Sequence, residues 1–169
     1  MKTFLVLAMH GSPPNDFPKN ELAEYFGLKS RLEMGGGMKN PALEERYNQL
    51  NEKICSWPRT AENDPFWAGS QKLTFDLQRA TGLEVLLVFN DFCSPNLEEG
   101  MEKGISSGAE KLIVITTMMT KGGEHSEVEI PAAIQKVQSH HPQVKIVFAW
   151  PFEPKEVASF LAQQIQRFL

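Results

Sequence analysis

Four short apolar runs, each stopping at polar or turn-forming residues and each followed by helical periodicity, constrain this chain more than any other property. They are Thr3–Met9 (TFLVLAM), Glu84–Asn90 (EVLLVFN), Lys111–Thr117 (KLIVITT) and Val144–Ala149 (VKIVFA). Apolar content with little alternation marks a strand covered on both faces, as in a parallel sheet. Strands that alternate with helices imply right-handed crossovers. The pattern predicts an α/β fold: a three-layer arrangement of one four-stranded parallel sheet with helices on both faces. Residues 1–169 are expected to form a single domain of this kind.

The helices have legible ends. Asn20 to Glu33 carries Leu22, Tyr25, Phe26, Lys29 and Leu32 at helical spacing and runs into Gly35-Gly36-Gly37, read as a hinge. Asn40-Pro41 is an N-cap followed by a first-turn proline, with Leu43, Tyr47, Leu50 and Ile54 on one face. Asp64-Pro65 starts a third helix, with Phe66, Trp67, Leu73, Leu77 and Ala80 expected inward and Gly82 at its end. Ser94 with Pro95 is expected to cap a fourth helix, closed by Gly108. The last, Pro154 to Leu169, is amphipathic through Val157, Phe160, Leu161, Ile165 and Phe168.

Composition removes several function classes. A net charge of -4 at pH 7 with no Lys/Arg block argues against nucleic-acid binding. No apolar stretch approaches the roughly 20 residues of a membrane span, so no membrane partner is expected. The apolar start is too short for a secretion signal and runs into His10-Gly11-Ser12-Pro13-Pro14 rather than a cleavage site. Cys55 and Cys93 form neither a CxxC motif nor a disulfide framework, which fits a cytoplasmic location.

Parallel strands end on one side of their sheet, and that edge is where open α/β folds bind ligands. Here it gathers His10, Asp91 and His125. A neutral imidazole binds a divalent metal or accepts a proton near neutral pH, and a neighbouring carboxylate serves either purpose. His125 belongs to the stretch Thr116–Pro131 (TTMMTKGGEHSEVEIP). There Ser126 and Glu129 fit a capping box, but that register would place Pro131 where its ring disturbs the first turn. The helix is therefore expected to begin at about Glu129, leaving His125 and Ser126 in the loop to face a ligand. His140 and His141 belong to the opposite end of the sheet and read as solvated surface. Cys93 reads as a small buried residue near the site.

His10-Gly11-Ser12 after the first strand, Asp91-Phe92-Cys93-Ser94-Pro95 after the second and GGEHSEVEIP from Gly122 to Pro131 together resemble the small class II chelatases of the CbiX type. These are sirohydrochlorin cobalt- and iron-chelatases of cobalamin and sirohaem synthesis. The resemblance covers residues 1–12 and 84–169 and makes residues 13 to about 60 a helical insertion between the first two strands. It departs at two positions, Asp91 standing where the family usually has glutamate and Glu129 where it usually has aspartate.

The resemblance implies a metal chelatase that inserts Co²⁺ or Fe²⁺, with Ni²⁺ also compatible, into sirohydrochlorin or a related tetrapyrrole. The metal is then a substrate, and no nucleotide or organic cofactor is implied. His10 and His125 would bind metal and accept protons. Asp91 and Glu129 would assist proton removal or orient an imidazole, and Ser12 and Lys121 would contact the bound tetrapyrrole. Because larger relatives contain two such domains, a homodimer is expected, with the insertion as a cap or a dimer contact. Two other readings remain open: a metal or tetrapyrrole carrier on the same fold, and a hydrolase. The hydrolase reading is weakened by the absence of a Gly-x-Ser-x-Gly elbow and of an arginine before His10.

Overall fold

The computed structural model describes residues 1–34 and 40–169. The expected Gly35-Gly36-Gly37 hinge lies outside the described residues. In chain order the elements are β1 (Thr3–Met9), α1 (Lys19–Met34), α2 (Pro41–Cys55), α3 (Pro65–Thr81), β2 (Glu84–Phe89), α4 (Leu97–Ser106), β3 (Lys111–Thr116), a π-helical turn (His125–Glu129), α5 (Ile130–His140), β4 (Lys145–Phe148) and α6 (Pro154–Ile165). The four strands form one parallel sheet in the order β2-β1-β3-β4. This is the α/β architecture that the four apolar runs predict.

Strand alternation divides the core by sheet face. Phe4, Val6, Ala8, Val88, Leu112 and Val114 point to one face, where Leu97 and Met101 of α4 and Ile130 and Val137 of α5 cover them. Leu5, Leu7, Met9, Val85 and Phe89 point to the other, against Trp67 and Leu77 of α3. A third cluster fills the α1–α2 hairpin: Tyr25, Leu28, Leu50 and Ile54, together with Phe17 and with Phe92 from the loop after β2.

Several expected details differ. Phe66, Leu73 and Ala80 are exposed on α3, which meets the sheet through a narrower stripe. On α1, Leu28 is buried while Phe26 is exposed, because the hairpin core lies along the Tyr25–Leu28 line. The fourth helix is capped by Asn96 rather than Ser94. Phe89 N–H donates to Pro95 O at 3.0 Å, which keeps the chain extended beside β2 for longer. Asn96 and Glu99 then form a reciprocal capping box, each side chain accepting from the other's backbone N–H at 2.9 Å. Asn40 and Asp64 cap α2 and α3 as the sequence predicts. The apolar side of α6, by contrast, is left uncovered, and α6 has no buried residue.

Candidate functional site

The site begins with two adjacent strand ends. The β1–β2 ladder continues past both strands, with Asn90 N–H donating to Met9 O at 2.9 Å and Asp91 N–H to His10 O at 2.8 Å. His10 and Asp91 are therefore fixed side by side by backbone pairing. Gly11 follows at φ +96°, and a Cβ there would lie 1.9 Å from Asp91 O. No L side chain fits that approach. Gly11→Ala is accordingly expected to push the two loops apart and to lower the melting temperature, which circular dichroism on the purified variant would read.

His125 arrives from β3, which neighbours β1 on its other side. It is the first residue of the π-helical turn, not a loop residue as the sequence predicts. Pro131 explains the difference: in a regular α-helix its ring would press on the carbonyl of Glu127, and the wider turn accommodates it. Ile130 N–H instead reaches back to His125 O. Ser126, expected to face a ligand, is fully buried and donates its hydroxyl to Gly123 O at 3.1 Å.

One ligand atom from each of His10, Asp91 and His125 lies within 4.8 Å of the others. The two imidazoles meet edge to face with centroids 4.7 Å apart. Hydrogen bonds settle which ring nitrogens are free. His10 Nδ1 is 2.9 Å from Gly11 O, a carbonyl that can only accept, so Nδ1 carries the proton and Nε2 keeps its lone pair. His125 Nδ1 is 2.6 Å from a carboxylate oxygen of Glu129 and donates to it, again freeing Nε2. That Nε2 lies 3.5 Å from Asp91 Oδ2. The carboxylate–imidazole pair is the arrangement that orients a histidine for metal coordination. Two nitrogens and a carboxylate on one side of a divalent ion leave its other positions open.

Other expected site residues stand apart from this cluster. Ser12 donates its hydroxyl to Pro13 O at 3.4 Å, and Lys121 is exposed on a groove of about 450 Å³ formed with Pro151, Phe152 and the start of α6. At the far end of the sheet His140 is exposed, whereas His141, read as solvated surface, is half-buried and pairs with Glu102 at 2.8 Å. Cys93 packs in the core against β1 and β2 and contributes nothing to the cluster. Burial raises its thiol pKa and pushes Cys55 up to about 11, so both stay protonated near neutrality. Iodoacetamide at about pH 7.5 should therefore label the folded chain far more slowly than the unfolded chain.

Two residues of the α1–α3 region matter here and have no local sequence signature. Lys29 of α1 places its ammonium 3.7 Å from Asp91 Oδ1, which makes α1 one wall of the site. Arg59, between α2 and α3, is buried and pairs with buried Asp64 at 2.5 Å. It also donates to Ser12 O at 2.7 Å, to Ile54 O at 2.8 Å and to Phe92 O. One guanidinium thus ties together the loop after His10 and the loop after Asp91. Phe92 sits at φ +61°, a conformation costly for an aromatic residue, held by Arg59 and by packing against Tyr25 and Phe26.

Comparison with known proteins places this site in context. Residues 69–167, more than half of the chain, match the model of the CbiX family. A sirohydrochlorin cobaltochelatase of Priestia megaterium is 34% identical over 70 residues, covering 41% of this chain and 22% of that protein. A sirohydrochlorin ferrochelatase of the same organism is 31% identical over 78 residues, covering 46% and 29%. The matched stretch thus spans less than a third of either relative. Among solved structures, a CbiX protein from Marinobacter aquaeolei VT8 aligns over 98% of both chains at 15% identity with a TM-score of 0.49. The sirohydrochlorin chelatase SirB from Bacillus subtilis subspecies spizizenii, in complex with cobalt, aligns over 89% of this chain and 44% of its own at 16% identity, with a TM-score of 0.44. The matched region contains Asp91, His125 and Glu129, and by its extent the chain belongs to the CbiX family.

Proposed function

We propose that this chain inserts a divalent metal ion, Co²⁺ or Fe²⁺, with Ni²⁺ also compatible with the ligand chemistry, into sirohydrochlorin or a closely related tetrapyrrole. The observation that carries the reading is the convergence of one ligand atom each from His10, His125 and Asp91 within 4.8 Å, with both Nδ1 protons already engaged. Sirohydrochlorin is the molecule named for both curated relatives.

The arrangement suits the chemistry. A tetrapyrrole exchanges two pyrrole N–H protons for one M²⁺. His10, His125 and Asp91 hold the incoming ion from one side, leaving coordination positions for ring nitrogens. As the ion passes to the ring, each Nε2 regains its lone pair and is placed to take one of the released protons. A proton on His125 Nε2 can leave through Nδ1 to Glu129, whose side chain is partly exposed and passes it to water. Lys29 offsets the negative charge of Asp91 and, with exposed Phe26, presents a cationic and aromatic wall to an anionic ring. Ser12 follows β1 and Lys121 follows β3, so both belong to loops at the strand-end edge of the sheet, where they would meet the ring's substituents.

Among the described residues no helix is long and apolar enough to cross a membrane. The proposed setting is the cytoplasm, with no nucleic-acid or membrane partner, and the proposed assembly is a homodimer. The deciding experiment is the change in tetrapyrrole absorption on adding Co²⁺ at catalytic protein concentration. Many turnovers per chain support chelation; a change that stops at one equivalent means a carrier.

A further inference from the structure

Two apolar surfaces of the chain are left without a partner, and they complement each other. One runs along α6 into the short 3-10 turn after it (Gln166–Phe168), where Phe160, Leu161, Ile165 and Phe168 are 57%, 52%, 55% and 80% exposed. The other is the β3–β4 half of the sheet face that α3 covers over β2. Ile113 and Val147 are cross-strand partners there, beside Ile115, and all three remain partly exposed. Among the described residues no helix packs extensively on this half, whereas α4 and α5 pack on the opposite face. A sheet of this class needs helices on both faces; α1 and α2 pack on each other, and α6, among the described residues, keeps its apolar side unburied.

We infer that α6 is exchanged between two copies of this chain, the apolar side of each α6 lying on the uncovered β3–β4 half of the other copy's sheet. A two-fold axis closes such an arrangement, because each copy gives one helix and receives one. The area is sufficient. With roughly 150–250 Å² per large aromatic side chain, one α6 side offers on the order of 400 Å². Two helices and the two sheet halves they cover exceed the roughly 1,000 Å² of a specific interface. The inference deepens the two-fold assembly proposed above and is independent of chelation.

The test uses the full chain. Sedimentation velocity at about ten micromolar should show a dimer, and Leu161→Asp, an exposed position in a lone copy, should convert it to a folded monomer with at least about a hundredfold weaker association. To identify the exchange, Ile113→Cys and Leu161→Cys are placed on separate chains in a Cys55→Ser background, mixed and oxidised. A disulfide joining the two different chains is the expected result. A monomeric parent chain, a dimer indifferent to Leu161→Asp, or an oxidised mixture in which no disulfide joins the two different chains would each overturn the exchange. An active enzyme whose dimer survives Leu161→Asp refutes the exchange alone; an exchanged dimer that never turns over refutes chelation alone.

Discussion

Replacing His125 with alanine is expected to lower turnover at least about a hundredfold, the range associated with losing a positioned proton acceptor, and here a proposed metal ligand is lost as well. The melting temperature should hardly change, because the imidazole belongs to none of the three apolar clusters. Glu129→Ala should follow with a loss of about 10–100-fold in metal affinity or activity, since it releases Nδ1 and with it the ring's orientation. Asp91→Ala should impair the rate less than either histidine variant, and His140→Ala, at the end of α5, serves as the control. Turnover by absorbance and melting by circular dichroism on the same preparations decide the matter. Near-normal turnover in His125→Ala would end the chelatase reading.

Arg59→Met is expected to destabilise the fold strongly. It strands the buried Asp64 carboxylate and removes the donor that serves the carbonyls of Ser12, Ile54 and Phe92. Breaking a buried pair by removing one partner costs about 3–5 kcal/mol. For a domain of this size that corresponds to a fall in melting temperature of roughly 6–20 °C. Adding Asp64→Asn should recover part of the loss: the stranded charge disappears, while the amide oxygen can still cap α3 by accepting from Trp67 N–H, as Asp64 Oδ1 does at 2.8 Å. Co²⁺ affinity should stay below that of the parent in both variants, because Ser12 and Phe92 flank the strand ends that carry His10 and Asp91. Thermal melts and calorimetry check the two claims separately.

What could be read in the sequence was whatever a local rule or the sheet's topology decides. The four apolar runs located the strands, and parallel order alone brought His10, Asp91 and His125 to one edge, 115 positions separating the first from the last. Asn40 and Asp64 announced their helices because a cap is a local hydrogen bond. The π-helical turn was hidden because Pro131 excludes one register without specifying its replacement. Arg59 carries no motif; its importance comes from three carbonyls contributed by separate segments. Lys29 looked like one more residue on the first helix, and only the packing of the α1–α2 hairpin against Phe92 turns it toward Asp91. In α6 the periodicity disclosed an apolar side without disclosing what covers it.

The pairing of Asp91 N–H with His10 O has a design consequence. Adjacent strands are about 4.8 Å apart whatever side chains they carry, so the bite offered to an ion is a property of main-chain pairing, with Gly11 as the clearance that permits it. Donor type and donor spacing are therefore independent variables. Exchanging Asp91 for cysteine or histidine would change the softness of the donor set while leaving the strand-end spacing untouched, which makes this edge of the sheet a chassis on which metal preference can be rewritten one side chain at a time.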